Sequence, residues 1–172
     1  LHWGIHFVPG AIADYQRDVG RAAIDAGADV ILGHHAHILK GVDVYRGKPI
    51  FYSLCNFAMD LHMDEKHAKS KGFREIQKLH PEWQPNFDIT YNFPPDSRHS
   101  VIVKCVLRQG APPRFSLLPV YIGPMSQPEV LRAEDPRFAE VQAYLERYTA
   151  SQGLNARYRV SGDELHIEAA GE

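Results

Sequence analysis

Apolar residues recur at helical spacing over residues 11–26, where Ile12, Tyr15, Val19, Ala22, Ala23 and Ala26 precede a stop at Gly27. Residues 30–32, Val-Ile-Leu, are apolar, mostly β-branched and bounded by Asp29 and Gly33, which predicts a short buried strand. A helix leading into such a strand is the signature of an α/β layer. Residues 42–45 and 50–54 predict a hairpin about Arg46-Gly47. From 55 to 99 the periodicity fades among Pro81, Pro85, Pro94 and Pro95, leaving a long loop with a short helix near 73–79. A second hairpin is predicted from 100–107 and 114–121 across Gln109-Gly110-Ala111-Pro112-Pro113. Asp135 and Pro136 open a helix with Phe138, Val141, Leu145 and Tyr148 on one face, and two short strands, 156–160 and 164–167, follow it.

Composition narrows the function classes. A chain of 172 residues with 44% hydrophobic and 23% charged residues is long enough for one domain with a core, or for one domain and a small appendage. A formal net charge of -2 gives no electrostatic footprint for nucleic acid or an anionic membrane. No apolar run approaches the ~20 residues of a membrane helix. Two cysteines, Cys55 and Cys105, are too few for a disulfide framework or a zinc ribbon. The chain opens on Leu1, directly at a motif-like segment, so we expect the C-terminal part of a longer protein, with the sheet edge nearest Leu1 open.

The candidate chemistry is histidine chemistry. Gly33-His34-His35-Ala36-His37 sets three imidazoles at the end of the predicted strand 30–32. His35 and His37, two apart, can converge on one point, with His34 turned elsewhere. Neutral imidazole is the commonest metal ligand, and open α/β sheets place their sites at strand ends. His2 sits two residues before Gly4, at what looks like another strand end, and joins the pair if the two strands are neighbours. Spacing alone leaves a metal site and a solvated cluster both open. His62, His67, His80, His99 and His166 read as solvated or loop residues, as do Asp60, Asp64 and Glu65. Ser53 lacks the Gly-x-Ser-x-Gly elbow, no glycine-rich phosphate loop occurs, and Cys55 reads as a small buried residue.

Three segments together resemble the CapA family of bacterial poly-γ-glutamate capsule-synthesis proteins, within the calcineurin-like metallophosphoesterase superfamily. They are Leu1-His2-Trp3-Gly4, the run from Ala26 to His37 with its Gly-His-His-Ala-His end, and Gly47-Lys48-Pro49-Ile50-Phe51-Tyr52-Ser53-Leu54-Cys55-Asn56-Phe57. The resemblance implies an α/β fold class: the C-terminal part of a four-layer α/β/β/α sandwich over residues 1–125, interrupted by the loop 55–99. A C-terminal helix and hairpin appendage would then occupy 126–172. It also implies a site of two divalent metal ions whose bridging water attacks phosphorus, with His2, His35 and His37 as ligands. His6, His34 and Asn56 would serve as substrate contacts or supports.

The resemblance has departures. His6 stands where the family often has Glu, Cys55 replaces the glycine of Ser-Leu-Gly-Asn-Phe, and Ala36 replaces proline. A non-glycine residue at position 55 strains the turn if positive φ is needed there. The family's Asp and Asn-His motifs precede its His-Trp-Gly segment, so three histidines alone would hold one ion with open positions. Two functions follow from the resemblance. One is a metal-dependent hydrolase of a phosphoester or of the polymer's amide bond, this chain alone being inactive. The other is a non-catalytic protein that binds, exports or anchors the anionic polymer. Both imply poly-γ-glutamate or a phosphoester as partner, no nucleic acid, membrane-associated capsule machinery, and a cell-envelope or extracytoplasmic location.

Overall fold

The structure is a computed structural model and describes residues 1–169; the last three residues of the expected 126–172 unit lie outside the described residues. The chain is mixed α/β, with two sheets. Strands β1 (Ile31–Leu32), β2 (Val42–Tyr45) and β3 (Lys48–Phe51) form a small sheet in the order β1-β3-β2. β1 runs parallel to β3, and β2 antiparallel to it. Helix α1 (Asp14–Asp25) covers one face of this sheet, where Ile24 packs with Trp3, Ile31, Ile50 and Tyr52. The buried stripe of α1 is Gln16, Gly20 and Ile24, one position removed from the expected face; Tyr15 and Val19 are about half exposed. Gln16 is buried because its Oε1 accepts from the N–H of Ala13 and closes the capping box.

Between the sheets, residues 55–99 hold short helices α2 (Glu65–Ala68) and α3 (Lys71–Leu79) and a 3-10 turn at Pro95–Arg98. The second sheet contains β4 (His99–Arg108), β5 (Ala111–Ile122), β7 (Ala156–Ser161) and β8 (Glu164–Ala169) in the order β4-β5-β8-β7, and β6 (Pro128–Val130) adds to β5. Here the expected hairpin is longer and its turn tighter. β5 begins at Ala111, so Pro112 and Pro113 lie within the strand, near its start, where a missing N–H is tolerated. A register shift between Val106 and Arg108 absorbs the difference.

Helix α4 (Pro136–Ser151) starts as expected: the Asp135 carboxylate accepts from the N–H of Arg137, and Pro136 occupies the first turn. Phe138, Val141 and Leu145 meet Leu39, Val42 and Phe51 of the first half and Val101, Leu117, Tyr158 and Leu165 of the second sheet in a single core. At Gly41 the chain passes so close to α4 that an added Cβ would lie 2.8 Å from Tyr148 O and from Thr149 Cα. Residues 1–3 lie beside the end of β1, and Leu1 is exposed. Leu1 O accepts from His34 N (2.8 Å), Trp3 N donates to His34 O (3.1 Å), and His2 forms a parallel bridge with His34. No helix among the described residues is long and apolar enough to cross a membrane.

Two buried bases secure the segment after His6. His80 lies in the loop after α3, one of the two roles expected for it, but it is buried rather than solvated, and its Nε2 lies 2.6 Å from Phe7 O. Lys40 is 3% exposed and donates to Val8 O. Desolvation pushes the Lys40 ammonium down to about 8 from an ordinary 10.5. Its folded value is depressed, so the unfolded chain holds this proton more tightly. The contribution of Lys40 to stability is therefore complete above pH 10.5 and is lost as pH falls through about 8. Relative to Lys40→Met, the wild type is expected to gain about 1 kcal/mol between pH 8 and pH 9, read from urea midpoints. Parallel pH profiles for the two proteins would refute this origin.

Candidate metal centre

His-Trp-Gly is placed by its tryptophan. Trp3 is buried, stacks on Tyr52 with ring centroids 6.0 Å apart, and donates its indole N–H to Tyr52 O at 3.0 Å. This pins residues 1–3 beside the end of β1 and brings His2 to the loop that follows it. His2 Nε2 lies 2.9 Å from His35 Nδ1, one nitrogen donating to the other, with ring centroids 4.6 Å apart. His6 approaches the same ring at 5.3 Å, and His37 lies 6.4 Å from it. Burial lowers the pKa of His35, and the neighbouring His2, His6 and His37 lower it further. A neutral imidazole is the form that binds metal.

The loop itself is strained. His35 and His37 have φ of 97° and 57°, and Phe7 and Cys55 have φ of 59° and 70°. Four non-glycine residues in the left-handed region within one neighbourhood cost of order 1–3 kcal/mol each, and such strain concentrates at functional sites. Cys55 thus occupies the conformation that the glycine of the motif would favour. Its thiol bridges two segments, with Sγ 3.2 Å from both His37 O and Ser97 O, which share its single S–H. Burial pushes that thiol up to about 12, so it offers neither thiolate ligand nor nucleophile at neutral pH. Cys105 is free as well.

His37 is the most firmly oriented of the histidines. Its ring stacks on Phe7 (5.3 Å between centroids, 11° between planes) and on Phe93 (5.5 Å, 24°). Its Nδ1 lies 2.7 Å from Asn56 Oδ1. Asn56 Nδ2 donates to the Tyr91 hydroxyl at 2.8 Å, and that hydroxyl donates to Ser97 O at 2.6 Å. The relay fixes the amide with its oxygen toward His37. The Nδ1 nitrogen must therefore carry the proton, and Nε2 is left with the lone pair a metal requires. Tyr91, Phe93 and Ser97 come from the aperiodic stretch, where no sequence signal marked them.

His34 stands apart. Its backbone pairs with residues 1–3, and its side chain lines a separate hollow of about 470 Å³ with Leu32, Leu54, Cys55, Asn56, Phe57 and Val101–Val103. Desolvation lowers its pKa, and the nearby His2 lowers it further. Among the described residues, no three His, Cys, Asp or Glu side chains are disposed as a ready-made metal-binding group. In the arrangement described, His2 and His35 satisfy one another instead. The donor set is all imidazole, with no carboxylate between the rings. That chemistry suits one divalent ion with open positions and does not suit a bridged pair.

Residues 1–61 match the family described as "Bacterial capsule synthesis protein PGA_cap". Over 59 residues the chain is 51% identical to the "PGA biosynthesis protein CapA" of Bacillus subtilis (strain 168) and 46% identical to the "Capsule biosynthesis protein CapA" of Bacillus anthracis. It is 39% identical over 64 residues to a "Probable polyglutamine synthesis accessory protein" of Mycobacterium tuberculosis. These matches cover 34%, 34% and 35% of this chain but only 15%, 14% and 15% of those proteins. The capsule-synthesis resemblance drawn from the three motifs therefore holds over the N-terminal third, which is also the part that carries all four clustered histidines.

Proposed function

We propose that the chain belongs to a protein of polyglutamate capsule synthesis, in which His2, His35 and His37 hold a divalent metal ion within a metallophosphoesterase-like sandwich. The observation that carries the reading is the relay Ser97–Tyr91–Asn56–His37, which presents one imidazole in the metal-binding tautomer beside the His2–His35 pair. A bound ion would supply Lewis-acid polarisation and a water of lowered pKa, the chemistry of phosphoester or amide hydrolysis. The protein's own residues do the positioning. Trp3 holds His2 in place, Asn56 fixes the proton on His37, and Phe7 and Phe93 keep that ring from turning. His6 stands at the rim of the cluster, its ring 5.3 Å from that of His35, placed to meet a substrate.

Calorimetric titration of the chain with Zn²⁺ tests the ligand set. The wild type should bind one ion, and His35→Ala/His37→Ala should bind more than about 100-fold more weakly. Equal affinities, or no uptake by the wild type, would overturn the reading. In the second reading the protein handles the polymer without hydrolysing it, and a separate surface of the C-terminal sheet favours that role.

A further inference from the structure

The C-terminal sheet has two faces of opposite character. Val101, Leu117, Leu165, Ala156 and Tyr158 turn into the core beneath α4, so the alternating positions face away from it. The strand register aligns those positions across four strands. Lys104 lies opposite Ser116, Ser116 opposite His166, and His166 opposite Arg159. Arg114 opposite Val106 and Arg157 opposite Glu168 flank that row. One end of this face carries Ile102 and Val120 and is covered by the segment bearing Tyr91 and Phe93. The other end is open.

Its charge runs against that of the whole chain. Lys104, Arg108, Arg114, Arg157 and Arg159 face two carboxylates, Glu164 and Glu168, on a chain whose net charge is -2. Lys104 pairs with Glu164, and Arg159 with Glu168 at 2.6 Å. Among the described residues, Arg108, Arg114 and Arg157 take part in no ion pair. Two hollows of about 140 and 280 Å³ open here and share Arg114, Phe115 and His166. The larger runs through the gap where β5 and β8 part after two paired positions, Ser116 with His166 and Leu117 with Leu165, and Val44, Gly47 and Pro49 of the first sheet form its inner wall.

We propose that this face binds an extended polycarboxylate chain of the polyglutamate class. The inference rests on the capsule-polymer reading above and adds a second contact, separate from the histidine cluster. Arg157 and Arg159 stand two residues apart on β7, roughly 6–7 Å, and Arg114 lies diagonally between Lys104 and Arg108, a multivalent array for a chain that carries repeated carboxylates. Guanidinium favours bidentate pairing with carboxylate over a diffuse field. The aromatic rings lining the two hollows are Phe115 and His166, fewer than the succession of stacking platforms that single-stranded nucleic acid uses.

The test is a titration of the chain with poly-γ-glutamate at low and at physiological salt. The wild type should bind, and added salt should weaken the binding. Arg114→Ala/Arg157→Ala, two exposed positions whose loss should leave the circular dichroism unchanged, should bind at least about tenfold more weakly while keeping its Zn²⁺ affinity. His35→Ala/His37→Ala should bind polymer as the wild type does. Wild-type affinity in the arginine variant, no polymer binding by the wild type, or equally tight competition by duplex DNA would each overturn the proposal. Failure of the metal reading looks different: polymer would bind, and no protein would take up Zn²⁺.

Discussion

Gly33→Ala should cost about 3–5 kcal/mol of stability, enough to unfold much of the population of a marginally stable domain. An alanine Cβ at position 33 would lie 2.3 Å from Tyr52 O, 2.5 Å from Phe51 O and 2.5 Å from Trp3 Nε1. Two of these are backbone atoms of the chain beside it, and the third belongs to a buried indole that already donates to Tyr52 O. None is the free end of a flexible side chain that could swing aside. The backbone of Gly33 is committed as well: its N–H donates to Phe51 O (2.8 Å), and its carbonyl accepts from Leu54 N (3.0 Å). Overpacking against main chain therefore separates β1 from β3 or expels Trp3, and either outcome displaces His2. Gly72→Ala is the control, because nothing lies within 4 Å of its added Cβ inside α3. There the expected change is neutral, or stabilising by up to about 1 kcal/mol. Urea midpoints of the two variants decide the matter; a Gly33→Ala midpoint close to wild type would contradict the packing described.

Asn56→Ala should weaken Zn²⁺ binding about 10–100-fold and lower stability by about 1–3 kcal/mol. The amide is buried, accepts from His37 and donates to Tyr91. Without it, the Nδ1 of His37 loses its partner, both tautomers of the ring become accessible, and the metal-binding one is no longer selected. Asn56→Asp separates the two effects. A carboxylate oxygen still accepts from Nδ1, so metal affinity should stay within about tenfold of wild type, while the lost donor to Tyr91 still lowers stability. Equal metal affinity in wild type and Asn56→Ala would show that the relay does not act on the ligand.

Local order was legible in the sequence wherever one short stretch determined it. Asp135-Pro136 announced α4, the helix–Gly27–strand unit announced β1, and the three motifs led to residues 1–61. The stripe on α1 was misplaced because Gln16 is buried for its hydrogen bond, which a count of apolar residues does not see. Pro112 and Pro113 suggested a longer turn because a strand's first positions tolerate proline. The burial of His80 was hidden because the carbonyl it meets belongs to Phe7, 73 residues away. Within the site, histidine identity was visible, but the groups that orient His37 were not. Tyr91, Phe93 and Ser97 reach it from a segment with no period of its own.

That distance has a consequence for the order in which the site is made. His2 meets His35 across 33 residues, Asn56 meets Tyr91 across 35, and Cys55 meets Ser97 across 42. Each is a long loop closure, made slowly compared with helix formation. On the ribosome, chain elongates at roughly 5–20 residues per second. The histidine loop would therefore leave the tunnel seconds before the tyrosine and serine that set its proton. A nascent chain can gather its imidazoles early, but it acquires the ring orientation only after Ser97 has emerged.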